Sequence, residues 1–117
     1  MNIIMSAIKP GLLVCLLLLT PKLFAHDIWT GIKTVASVQV TNNGGFIITL
    51  DSEISDVCSY AGKSSLLISP NENTVTDAGA KSLLSTALIA FSTGSKVNIM
   101  YSNDTIFCWG NSLSILK

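Results

Sequence analysis

The stretch AKSLLSTALIAFSTGSKVNIMY, Ala80 to Tyr101, changes its hydrophobic period at Gly94. Before that glycine, from Asp77 or Ala78 through Ser92, apolar side chains fall at Ala80, Leu83, Leu84, Ala87, Leu88 and Phe91. These positions are spaced as one face of a helix with 3.6 residues per turn. Thr76 precedes the run as an N-cap, Asp77 complements the positive end of the helix dipole, and Gly94 supplies a left-handed stop. After the glycine the period falls to two, with Val97, Ile99 and Tyr101 on one face and Asn98 and Met100 on the other. The spacing therefore predicts one helix running directly into a strand over Lys96 to Tyr101.

Upstream, Ile32 to Thr41 and Phe46 to Leu50 are β-branched runs separated by Asn42, Asn43, Gly44 and Gly45, a turn chemistry that predicts an antiparallel hairpin. Asp51 to Ser65 is polar and reads as a loop with a bulged strand around Cys58, and Leu66 to Ile68 makes a short third strand before Ser69 and Pro70. Downstream of the helix and its strand, Ser102 to Asp104 is a turn. Thr105 to Trp109 reads as a fifth strand, which Leu113 to Leu116 extends. The expected fold is mainly β with one helix: an OB-fold, a five-stranded Greek-key barrel with the helix between strands 3 and 4. A split α+β sheet accommodates the same elements and is the alternative. Residues 26–117 are expected to form this single domain.

Residues 1–25 read as a cleaved signal peptide. Lys9 is the positive flank, Leu12 to Leu19 is an apolar run, and Thr20, Pro21 and Lys22 end it ahead of a cleavage site after Ala25. The run is shorter than the roughly 20 residues that a spanning helix needs, so stable membrane insertion is not expected. An uncleaved anchor is the competing reading. The localisation expected is secreted or periplasmic.

Of the three cysteines, only Cys58 and Cys108 follow that segment, and an oxidising compartment pairs them. Closing a loop of about 50 residues stabilises by about 4 kcal/mol in the chain-entropy treatment. The chain has no arginine, and beyond residue 25 its five lysines face seven acidic residues, a balance of −2. No basic footprint exists for nucleic acid. His26 is the only histidine, so neither a metal nor another cofactor is expected. Asp51, Glu53 and Asp56 read as a solvated loop rather than as an acid and base pair, and catalysis is not expected.

Opposite the apolar stripe the helix carries Ser82, Ser85, Thr86 and Ile89, none of them charged. Small uncharged side chains let helices of neighbouring subunits approach around a shared axis, making these four the candidate oligomer interface. The plainer reading is a weakly charged protein with a weakly charged helix.

Two segments resemble a known family. Trp29-Thr30-Gly31, together with Leu83, Ala87, Leu88, Phe91, Thr93, Gly94, Val97, Ile99 and Tyr101 of the Ala80 to Tyr101 stretch, is similar to the B subunits of subtilase cytotoxin and typhoid toxin. The match covers about a quarter of the chain beyond residue 25, and the chain reads as a shortened relative in which Gly31 passes directly into a strand. The resemblance implies a secreted, non-catalytic OB-fold subunit that forms a homopentamer around its helices, accompanies a toxin A subunit and binds cell-surface carbohydrate, in that family sialylated glycans. It also implies a ligand contact at Tyr101, whose alternative role is packing on Val97 and Ile99. The other function in view is a monomeric or dimeric periplasmic OB-fold domain that binds a protein or small ligand.

Overall fold

The computed structural model describes residues 27–117. The expected signal peptide lies outside the described residues. Six strands and one helix follow in the order β1 (Asp27–Trp29), β2 (Lys33–Val40), β3 (Phe46–Leu50), β4 (Ser65–Ile68), α1 (Asp77–Thr93), β5 (Lys96–Ser102) and β6 (Gly110–Leu116). The architecture is mainly β with one helix, an antiparallel sheet curled into a half-barrel.

The hairpin forms where the turn chemistry places it, pairing Val40 with Phe46 and Val38 with Ile48. The sheet then continues through β4, where Phe46 opposes Ile68 and Ile48 opposes Leu66. A register shift between Val35 and Ser37 bends β2 as it passes from β3 toward β5. On its other edge β5 pairs with β6 along most of its length. A parallel bridge from Leu67 to Trp109 brings the β6 end of the sheet to β4, so that the sheet curls back toward itself. Two glycines permit the close approaches this requires. A Cβ on Gly45 would stand 2.2 Å from the Ile68 carbonyl oxygen, and one on Gly110 would stand 3.2 Å from the Ile68 side chain.

The core is filled by the inward residues of β2 to β5: Val35, Phe46, Ile48, Leu50, Leu66, Ile68, Val97, Ile99 and Tyr101. The alternation read from Lys96 to Tyr101 is thus the alternation of buried and half-buried side chains along β5. The helix is capped as its sequence directs. Thr76 Oγ1 accepts from the Gly79 amide at 3.0 Å, and Gly94, at φ 67°, donates from its own amide to the Ala90 carbonyl.

Three expectations need correction. The helix follows the fourth strand, not the third, because Asp27–Trp29 adds a strand at the start by pairing with β5, Ile28 opposite Tyr101. Its anchorage is polar as well as backbone: Asp27 accepts from Asn73 Nδ2 at 3.0 Å and from Asn111 Nδ2 at 2.9 Å. Next, Thr105–Trp109 is not a strand. Cys108 has φ 51°, a left-handed conformation that no strand continues through, and β6 begins only at Gly110. Finally, the helix is turned relative to its leucine stripe. Ala80, Ala87 and Ala90 are fully buried, while Leu88 is 43% and Phe91 48% exposed. Alanines let the helix axis lie close to β2 and β6, and that proximity leaves the bulkier side chains at its flank.

Candidate functional site

The polar Asp51–Ser65 segment and the segment between β5 and β6 are held together by a covalent tie. Cys58 and Cys108 form a disulfide with a Cα–Cα separation of 5.4 Å, and both are buried. Around it the backbones of the two loops interlock. The Tyr60 amide donates to the Ile106 carbonyl at 3.2 Å, and the Leu67 amide of β4 donates to the Cys108 carbonyl at 3.3 Å. These bonds take the carbonyls that a strand over Thr105–Trp109 would have offered to a ladder.

This arrangement assembles three aromatic rings from two loops. Tyr60 lies two residues after one cysteine, while Phe107 and Trp109 flank the other. The Tyr60 and Phe107 ring centroids are 4.8 Å apart, and Phe107 stacks on Trp109 at 5.3 Å with planes 19° apart. Tyr60 is 61% exposed, so the cluster is a surface feature and not a piece of core.

The rings form one wall of an open cleft of about 220 Å³. Its floor comes from β3 and the end of β4, through Phe46, Ile47, Leu67 and Ile68, and its polar rim from Thr41, Asn43 and Ser69. Asn43 is fixed at the tip of the β2–β3 hairpin. Its Oδ1 accepts from Thr41 Oγ1 at 2.6 Å and from the Gly45 amide at 3.0 Å, and its Nδ2 donates to Ser69 Oγ at 3.3 Å. An amide nitrogen carries two hydrogens, and Ser69 takes one of them. Among the described residues, no charged side chain lines the cleft. Stacked aromatic faces beside an amide and two hydroxyls are a surface for apolar patches edged with hydroxyl groups.

The residues singled out from sequence occupy other places. Tyr101 is 1% exposed and packs among the core side chains of β5, so its ring is presented to the interior and not to the cleft. Burial pushes its phenol above the ordinary value of 10.0, partly offset by a hydrogen bond with Ser55. Ser82, Ser85 and Ile89 are exposed on α1, and Thr86 is half-buried. Beside them stand the exposed Leu88 and Phe91. The hydroxyls of this face are turned onto their own helix: Ser85 donates to the Lys81 carbonyl at 3.1 Å, Thr86 to Ser82 at 2.9 Å, Ser92 to Leu88 at 2.7 Å and Thr93 to Ile89 at 2.8 Å. Such back-bonding leaves the surface more apolar than its composition suggests.

Tyr60, Phe107 and Trp109 are the functional candidates that sequence reasoning did not single out. Their signal was the cysteine pairing itself, because residues within two positions of Cys58 and Cys108 must meet once the bridge forms. Among the described residues there is no group of three or more His, Cys, Asp or Glu placed to hold a metal ion. No helix among them is long and apolar enough to cross a membrane. No protein-family model and no characterised protein matches the sequence.

Proposed function

We propose that the protein is a secreted, non-catalytic carbohydrate-binding subunit that assembles through its helix into a ring, in the manner of the toxin B subunits it resembles. The observation that carries the binding half is the aromatic cleft, by its position as much as by its composition. Strands β1 and β2 both lie on the edge of β5 opposite β6, and can be counted as two halves of one interrupted strand. The order around the curl is then first, second, third, fifth, fourth, with β6 meeting β4 in parallel at Leu67 and Trp109. This supports an OB barrel. In OB-folds the second and third strands, with the loops between strands one and two and between four and five, take oligonucleotides and oligosaccharides. Those parts correspond here to β3, β4, the Asn43 hairpin and the Phe107 loop, the parts that enclose the cleft. The charge balance and the absence of arginine favour the sugar over the nucleic acid.

The helix face supports the ring. Ile89 is exposed among Ser82 and Ser85, Leu88 and Phe91 are exposed toward its flank, and only Asp77 and Lys81 are charged along the whole of α1. A face of this kind is stabilised by a second apolar surface, and the same face on every copy gives a cyclic assembly. Several shallow sugar sites on one ring raise overall affinity by about 10² to 10⁴ over a single site. A toxin A subunit would be the additional partner of such a ring.

Screening the purified protein against immobilised glycans, beside its Trp109→Ala variant, tests the reading. Binding of the parent and its loss in the variant, with the circular dichroism spectrum unchanged, are expected. A folded parent that binds no glycan would favour the other function, a monomeric or dimeric periplasmic domain with a protein or small-molecule partner.

A further inference from the structure

We infer that the cleft selects a neutral hexopyranose end, of the galactose or glucose type, over a sialylated one; this rests on the reading of the cleft as a sugar site. A sialic acid brings a carboxylate, which needs a cation or a set of converging donors when it leaves water. Three of the lysines hold partners of their own. Lys33 Nζ donates to Ser52 Oγ at 2.6 Å and to the Glu53 carbonyl at 3.1 Å, Lys63 pairs with Asp56 at 3.5 Å, and Lys96 Nζ donates to Thr34 Oγ1 at 3.1 Å. None of them lines the cleft. The charges of the adjoining hollow are acidic. Trp109 is also a wall of a neighbouring hollow that holds Glu72 and Asp104.

What the cleft does offer suits a neutral ring. One face of a galactose- or glucose-type pyranose is a patch of C–H bonds, which packs on the open flat face of an aromatic ring, while its hydroxyls project sideways. Tyr60, Phe107 and Trp109 supply the apolar wall; beside it the Asn43 amide offers a donor, and Thr41 and Ser69, whose hydrogens go to Asn43 Oδ1 and the Pro70 carbonyl, offer acceptor oxygens. The volume of about 220 Å³ is below the range of roughly 300–1,000 Å³ typical of drug-sized ligands. One or two sugar rings fill it.

The test compares two ligands that differ by the sialic acid alone. Lactose and 3′-sialyllactose, each carried in several copies on a soluble polymer, are measured against the intact protein, together with maltose and cellobiose on the same carrier. A neutral glycan is expected to bind at least about tenfold more tightly than the sialylated one, the penalty for leaving a carboxylate unpaired in the cleft. Tyr60→Ala, a change at an exposed position, should abolish the signal without altering the melting temperature. Preference for the sialylated polymer that is lost in Tyr60→Ala would overturn the neutral selectivity while leaving the cleft as the sugar site. Binding of none of the four by a folded protein would overturn both.

Discussion

The ring of Tyr60 meets the ring of Phe107 at 4.8 Å, although the two come from loops that share no strand. What joins them is the Cys58–Cys108 disulfide, two residues from one ring and one residue from the other. Covalent geometry therefore does at this site what a sheet ladder does elsewhere in the fold. Reduction should act twice, lowering stability by up to about 4 kcal/mol through the freed loop and separating the rings. Melting curves and glycan binding recorded with and without reductant measure both effects. An unchanged melting temperature after complete reduction, verified by thiol titration, would show that the bridge does not carry the loops.

Gly45 is the backbone contact on which the hairpin and β4 depend. Its missing side chain leaves room for the Ile68 carbonyl, which a Cβ would approach to 2.2 Å. Gly45→Ala should destabilise the protein by about 1–3 kcal/mol, as overpacking does, and should shift Asn43 at the cleft rim. Denaturant melts give the first quantity. A variant as stable as the parent would mean that the strands separate there without cost.

Tyr101 gives a pH dependence with a definite sign. Its phenol is raised above 10.0 in the folded state by burial, so above that pH the unfolded chain loses its proton while the folded chain keeps it. The unfolded state then binds fewer protons, and stability falls as pH rises. Tyr101 contributes a decline that begins near pH 10 and that Tyr101→Phe removes. Equal slopes of unfolding free energy against pH in the two proteins would contradict this placement of the ring.

The helix face is tested by charge. Ile89 is 56% exposed in the single chain, and Ile89→Lys places an ammonium at the centre of the surface proposed to close the ring. A buried unpaired charge opposes association, while the isolated fold has no reason to change. Light scattering should report a large assembly for the parent and a smaller species of native stability for the variant. Identical masses would remove the helix from the interface.

The parts of this fold carried by local chemistry were legible in the sequence. Asn42 to Gly45 announced the hairpin, Thr76 and Gly94 bounded the helix, and the alternation after Lys96 identified the inward side of β5. The parts set by tertiary packing were not. Periodicity placed Leu88 and Phe91 with Ala87 on one stripe, but cannot say whether the sheet takes the leucine or the alanine side of it, and the sheet took Ala80, Ala87 and Ala90. Asp27–Trp29 is too short to show a period, and it is a strand because β5 and the Asp27 hydrogen bonds hold it. Thr105–Trp109 has the composition of a strand, but a disulfide and a left-handed Cys108 redirect its backbone. The site was hidden for the same reason: its three rings are distant in sequence, and only the cysteine pairing brings them to one wall.

Residue-resolved NMR of the labelled protein during titration with a neutral glycan, lactose first, locates the ligand without relying on any variant. Shift changes centred on Asn43, Tyr60, Phe107 and Trp109, with Tyr101 following only weakly through the core, are the expected result. Changes centred elsewhere, on Trp29 to Gly31 for instance, would contradict the assignment of the aromatic cleft as the carbohydrate site.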